Sequence, residues 1–327
     1  MTPRRRIWFT FLAIGGLFAG SAYPQSAQVN GPITGFIYNR ASRLVSPVIG
    51  VPRSSRLGPS VMQRVDWASV GPDGNWAYVR KSGQSTFVAG LSTASASVIP
   101  IDGLIGAVDR VVWNREGSFA LLYSSASNSL QRVNLSASSP IADSPLDLSP
   151  WGRVSALAID SAGQQIAFGV PGAGVYLASS GQTPALVSSL SKPVALCFDE
   201  SGVRLYAADL GQQQIFEFDS GSGPLPFASL AQPDGSTLSP VGLAVSGGSK
   251  YLLVVDRATQ SVLVYDVISH NLSNTISLDF VPSRFEALSS APSFLLNGDR
   301  TGEWLRVLDA QDAPNVYFVP ASQEDHQ

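Results

Sequence analysis

The sequence predicts an all-β fold, a β-propeller of six complete four-stranded repeats. Three observations predict it. A motif returns about every 43 residues, a glycine occupies its turn in five of six copies, and four strand-like segments fill each unit.

The motif is an apolar strand, a polar turn and a second apolar strand. Its copies run from Ala68 to Val79, Val111 to Leu122, Leu157 to Phe168, Leu196 to Ala207 and Leu243 to Val254, with a worn sixth from Ala287 to Leu296. Aligned on the turn, Gly74, Gly117, Gly163, Gly202, Gly248 and Ala291 fall at one position, at intervals of 43, 46, 39, 46 and 43 residues. Glycine suits that position because a tight turn between adjacent strands often needs a positive φ. Two further strands complete each unit, most clearly 214–219 with 225–230 and 262–266 with 274–278. Nothing after the N-terminal segment resembles a long helix. A closed ring covers the apolar faces of every blade, which an open stack does not. A β-sandwich needs no such repeat, and a β-solenoid repeats over a shorter period.

The six units span Val65 to Pro320. Ahead of them, Gly35–Tyr38 and Leu44–Ile49 resemble the third and fourth strands of a unit. This N-terminal hairpin either forms an incomplete seventh blade or covers the seam of the ring. The expected domain limits are a signal peptide over 1–22, a linker over 23–31, one propeller over 32–322 and a disordered tail over 323–327.

The signal peptide rests on Arg4-Arg5-Arg6, the apolar run Ile7 to Ala19, and the small residues Gly20-Ser21-Ala22. The apolar run is shorter than the ~20 residues a bilayer span requires. Cleavage is expected after Ala22, with Ala27 as the alternative site and an uncleaved anchor as the alternative fate. No cysteine lies nearby to carry a lipid. These features predict export to the periplasm or the medium, with no stable membrane insertion afterwards.

Composition narrows the function. Hydrophobic residues make up 44% and charged residues 14% of the 327, which supports a large core and argues against disorder. A net charge of −3 argues against a general nucleic-acid binder. Cys197 is the only cysteine, so it makes no internal disulfide, and its apolar surroundings predict a buried, inert thiol. The two histidines, His270 and His326, assemble neither a Ser-His-Asp triad nor a multi-histidine metal site. His270 is expected to be a solvated turn residue. No phosphate loop or calcium loop is present, and no cofactor is expected.

Two units carry a recognisable pattern. Leu205-Tyr206-Ala207-Ala208-Asp209 with Gln213 to Asp219, and Tyr251 to Asp256 with Ser261 to Asp266, resemble the repeat of bacterial NHL and YVTN-type propellers. The likeness covers two units well and four loosely. It implies a fold, since such propellers include binding scaffolds, sugar-lactone hydrolases and oxidoreductases. The six-bladed hydrolases hold a divalent metal in the channel with acidic and amide ligands, for which Asp209, Asp256 and Asp299 are the available carboxylates. Their equivalent repeat positions favour another role, an aspartate cap that accepts backbone N–H groups.

Basic residues recur at or just before the first strand of five units: Arg64, Arg110, Arg153, Lys192 and Arg284. A rim of this kind would gather an anionic ligand such as a carboxylate sugar or an acidic peptide. Arg64, Arg153 and Lys192 stand ten residues before the turn position, whereas Arg110 and Arg284 stand seven before it. The odd difference reverses the side of the strand on which they emerge. The sequence thus predicts a scaffold that binds a protein or glycan through one propeller face, or alternatively a channel-centred hydrolase.

Overall fold

The computed structural model describes residues 31–320, except 94–95, 137–138, 180, 220–222, 233–234, 247, 299–303 and 312. The expected signal peptide, most of the linker, the tail and Asp299 lie outside these residues. The described residues contain no helix, and so none that could cross a membrane.

Seven sheets form seven blades. Blade 1 is β1 (Ile33–Asn39), β2 (Leu44–Val51) and β3 (Ser54–Leu57). Blade 2 is β4 (Trp67–Val70), β5 (Trp76–Lys81), β6 (Gln84–Ala89) and β7 (Ser97–Ile99). Blade 3 is β8 (Arg110–Trp113), β9 (Phe119–Ser124) and β10 (Ser129–Asn134), with its outer strand split into β11 (Ile141–Ala142) and β12 (Leu146–Asp147). Blade 4 is β13 (Ala156–Ile159), β14 (Gln165–Val170), β15 (Gly174–Ser179) and β16 (Ala185–Ser188). Blade 5 is β17 (Pro193–Phe198), β18 (Arg204–Asp209), β19 (Gln214–Asp219) and β20 (Leu225–Ser229). Blade 6 is β21 (Pro240–Ser246), β22 (Tyr251–Asp256), β23 (Ser261–Asp266) and β24 (Leu272–Ser277). Blade 7 is β25 (Glu286–Ser289), β26 (Ser293–Leu295), β27 (Leu305–Asp309) and β28 (Asn315–Val319).

Each blade is an antiparallel meander, so its sequence alternates between the two faces. In β18, Leu205 and Ala207 join the apolar cluster shared with blade 4, while Tyr206 and Ala208 join the one shared with blade 6. Seven such clusters of buried side chains occur, one between each pair of adjacent blades. The seventh packs Ile37 and Val48 of blade 1 on Leu288 and Val307 of blade 7, which closes the ring.

The turn glycines behave as the repeat requires. Gly74, Gly117, Gly163, Gly202 and Gly248 have φ between +66° and +74°. The first four N–H groups donate to the carbonyl three residues back, at 2.9–3.1 Å. Side chains at the start of the turn reinforce it: Asp160 Oδ1 accepts from the N–H groups of Gln164 and Gln165, and Asp199 Oδ1 from those of Val203 and Arg204.

Blades 2 to 7 are the six four-stranded repeats read from the sequence, and blade 1 brings the ring to seven, correcting the expectation that the N-terminal hairpin supplies third and fourth strands or covers the seam. Blade 1 is a true seventh blade, and its innermost strand β1 runs against the first strands on either side. Gly35 lies against the Leu288 carbonyl, late in β25, while Tyr38 O accepts from Arg284 just before β25. On the other flank Phe36 lies beside Gly74, past the end of β4, while the Tyr38 hydroxyl donates to Asp66 O, before its start. In other blades the strand with this direction is the second. Gly31, two residues before β1 and 43 before Gly74, also holds the position of a turn glycine. Blade 1 therefore has a second, third and fourth strand, and the described residues supply no first.

Candidate functional site: the two ends of the channel

The first strands of blades 2 to 7 all run from one face, here the start face, to the face of the glycine turns. A cavity lies at each end of the channel they surround.

The cavity toward the turn face measures about 220 Å³ and lies among the first strands of blades 3 to 7. Its walls include Trp113, Leu157, Ile159, Cys197, Phe198 and Phe294. Charged turns bridge its mouth. Arg115 of blade 3 pairs with Glu200 of blade 5 and donates through Nε to Ser290 O of blade 7 at 3.2 Å. Glu200 also accepts from Ser161 Oγ of blade 4 at its carbonyl and from Gly248 N of blade 6 at Oε1. These partners come from five blades, and no local pattern in the sequence pairs them.

Cys197 is half-buried: it packs against the apolar cluster between blades 5 and 6, as a residue facing the neighbouring blade should, but it also lines this cavity rather than being fully buried. Alternation along β17 explains the packing, because Cys197 stands two residues after Ala195 and shares its side, toward blade 6, while Leu196 faces blade 4. Burial, followed by the nearby Asp199 charge, pushes its thiol pKa well up.

The cavity toward the start face also measures about 220 Å³ and lies among blades 1, 2, 3 and 7, where the first strand of blade 1 would run. Phe36, Tyr38, Trp67, Arg110, Arg284 and Glu286 are among its walls. Arg110 Nη1 donates to Ser155 O at 3.0 Å, and its guanidinium lies 5.8 Å from the Tyr123 ring centre. Arg284 Nη1 donates to Tyr38 O at 3.3 Å and stands 4.0 Å from Glu286. Arg64, Arg153 and Lys192 are exposed on the same face and line neither channel cavity. The structure thus brings together the two cations whose register sets them apart from the other three. Asp66 pairs with Arg43, and Asp109 accepts from Ser125 N and Oγ. A roomier cavity of about 480 Å³ lies off the axis between blades 3 and 4, beside Arg132, Asp143 and Trp151.

Asp209 and Asp256 are caps, as their repetition suggests. Both are fully buried at the ends of second strands. Asp209 accepts from the backbone N–H groups of Ser191, Lys192, Gly211 and Gln212 and from Ser191 Oγ. Asp256 accepts from Ser239 N, Thr259 N and Thr259 Oγ1. Each carboxylate ties a turn to the loop that enters its blade. Among the described residues no three His, Cys, Asp or Glu side chains gather as a metal site.

His270 is more engaged than a solvated turn residue. Its Nε2 lies 3.4 Å from the buried Glu217 carboxylate, and its ring lies 4.6 Å from that of Phe227.

No family model matches the chain, and no curated protein matches it. Solved structures do. Hydrazine synthase of Kuenenia stuttgartiensis matches with a TM-score of 0.58 at 14% identity, over 92% of this chain and 99% of that one. A structure of the nidogen/laminin complex matches with a TM-score of 0.53 at 14% identity, over 79% and 94%. The chain is a β-propeller. A third likeness, to the β-propeller domain of Cps50 (Swd1) of Myceliophteria thermophila, has a TM-score of 0.49 at 11% identity, over 66% and 72%. At these identities the propeller's relatives speak for its fold alone.

Proposed function

We propose that this propeller is an exported scaffold of the NHL or YVTN kind, non-enzymatic, that binds an anionic protein or glycan at its start face. The observation that carries this is the convergence of Arg110 and Arg284, from blades 3 and 7, on one axial cavity. A polar hollow walled by three guanidinium groups, of Arg40, Arg110 and Arg284, against two carboxylates, of Asp109 and Glu286, keeps an excess of cations. It favours carboxylate-bearing partners, because guanidinium donors match carboxylate geometry. The repeats at Leu205–Asp219 and Tyr251–Asp266 support the NHL or YVTN affiliation, and the charged, apolar and small-residue order of the first 22 residues supports export. The channel hydrolase gains nothing from Asp209 and Asp256, whose oxygens already accept backbone N–H groups. Binding to an array of anionic glycans and acidic proteins tests the reading. The double change Arg110→Ala and Arg284→Ala should weaken binding about tenfold or more, and salt should weaken the parent chain's binding. Undiminished binding by the double variant overturns it.

A further inference from the structure

We infer that the axis-facing edge of β1 is a docking site for an extended segment of a protein partner, which adds to blade 1 as its first strand. This rests on the reading above that the start face binds a partner, and it specifies the partner's form.

The edge itself makes the case. β1 pairs with β2 on one side. On the other side, no backbone hydrogen bond joins it to β4 or β25 among the described residues. Pro47, which has no N–H, stands opposite Phe36, so that pair is a non-hydrogen-bonded one. The N–H and C=O of Phe36, and of Tyr38 two residues on, therefore face the axis. Tyr38 O accepts from Arg284 Nη1, which confirms the direction. Phe36 and Tyr38 are buried, and a buried strand edge wants a partner for its backbone groups. The start-face cavity lies along this edge, in the place that first strands occupy in the other six blades.

Those strands fix the geometry of the occupant. They are four to seven residues long and antiparallel to their second strands. A docked segment so oriented runs from the start face inward, N-terminal end outermost. Main-chain pairing supplies affinity in such strand addition, and flanking side chains supply specificity. Here Arg40, Arg110 and Arg284 line the cavity beside Asp109 and Glu286, and the excess of cations suits acidic residues at the outer end of the segment. Residues 24–30 of this chain, Pro24-Gln25-Ser26-Ala27-Gln28-Val29-Asn30, suit it less. They carry no acid, one proline, and little of the apolar character of Val111-Val112-Trp113 or Ala156-Leu157-Ala158-Ile159.

The experiment measures amide hydrogen exchange at Phe36 and Tyr38 in the mature chain, with and without a blocked seven-residue peptide of two aspartates followed by alternating valine and threonine. Fluorescence anisotropy gives its affinity, alongside versions with N-methylated valines and with asparagine for aspartate. Both amides should exchange about tenfold more slowly with saturating peptide, and N-methylation should weaken binding about tenfold. The asparagine version should bind more weakly to the parent chain and equally to the chain with Arg110→Ala and Arg284→Ala. Peptide binding with unchanged exchange at both amides, or equal binding of the N-methylated peptide, overturns strand docking while leaving the start face as a binding surface. Failure of the peptide to bind, while anionic partners on the array remain sensitive to the two arginines, does the same. Amides already protected in the free chain, and unprotected after deletion of 24–30, would assign the edge to the chain's own segment and overturn a partner's. Loss of all dependence on the two arginines, on array and peptide alike, overturns the start-face reading itself.

Discussion

Replacing Asp209 by Ala should be among the most damaging single changes in blade 5. The carboxylate is 0% exposed and accepts from four backbone N–H groups and one hydroxyl. A hydrogen bond to a charged acceptor contributes roughly 1.5–3 kcal/mol net, and a buried donor left unpaired costs about 1–3 kcal/mol. The five bonds share one carboxylate and are not additive, and water entering the vacated space would satisfy part of the loss. The expected destabilisation is therefore about 3–4 kcal/mol, a large share of the ~5–15 kcal/mol typical of a folded domain. Asp209→Asn keeps one acceptor oxygen but turns an amide group toward donors, and should cost about 2 kcal/mol. Urea unfolding at neutral pH reads both values, with the midpoint falling and the slope unchanged. A loss below about 1 kcal/mol for Asp209→Ala would refute the cap. So would a parent chain whose stability falls when a chelator is added, since the carboxylate would then be holding a metal.

Gly202→Val should destabilise by about 1–2 kcal/mol, because its φ of +74° disfavours a side chain and a Cβ there meets that of Asp160 at 3.2 Å. Gly163→Val should cost more, since its Cβ would fall 2.4 Å from the Phe119 ring; thermal unfolding of both variants checks the order. Cys197 should react slowly with a maleimide at pH 8 and rapidly in denaturant. Burial raises its pKa, so the reactive thiolate is scarce until the pH climbs well above the ordinary thiol range. Fast native labelling at pH 8 would contradict that environment. N-terminal sequencing of exported material should begin at Tyr23, and a start at Met1 would reject cleavage.

Local backbone chemistry was legible in the sequence, because strand alternation and turn glycines act within a few residues. The all-β repeat, the positive φ at Gly74, Gly117, Gly163, Gly202 and Gly248, and the capping by Asp209 and Asp256 all follow from such short-range rules. Tertiary structure alone decided what depends on closing the ring. β1 and β2 read as outer strands, and only their packing against β4 and β25 shows β1 to be a second strand in an innermost place. Arg115, Glu200 and Ser290 meet although they lie in three different repeats, because first strands converge on an axis that no single repeat contains. The same convergence brings Arg110 and Arg284 to one cavity and leaves Arg64, Arg153 and Lys192 on the exposed rim. Their offsets of seven and ten residues from the turn were visible in the chain. Which parity points inward was fixed only when seven blades packed around a common centre.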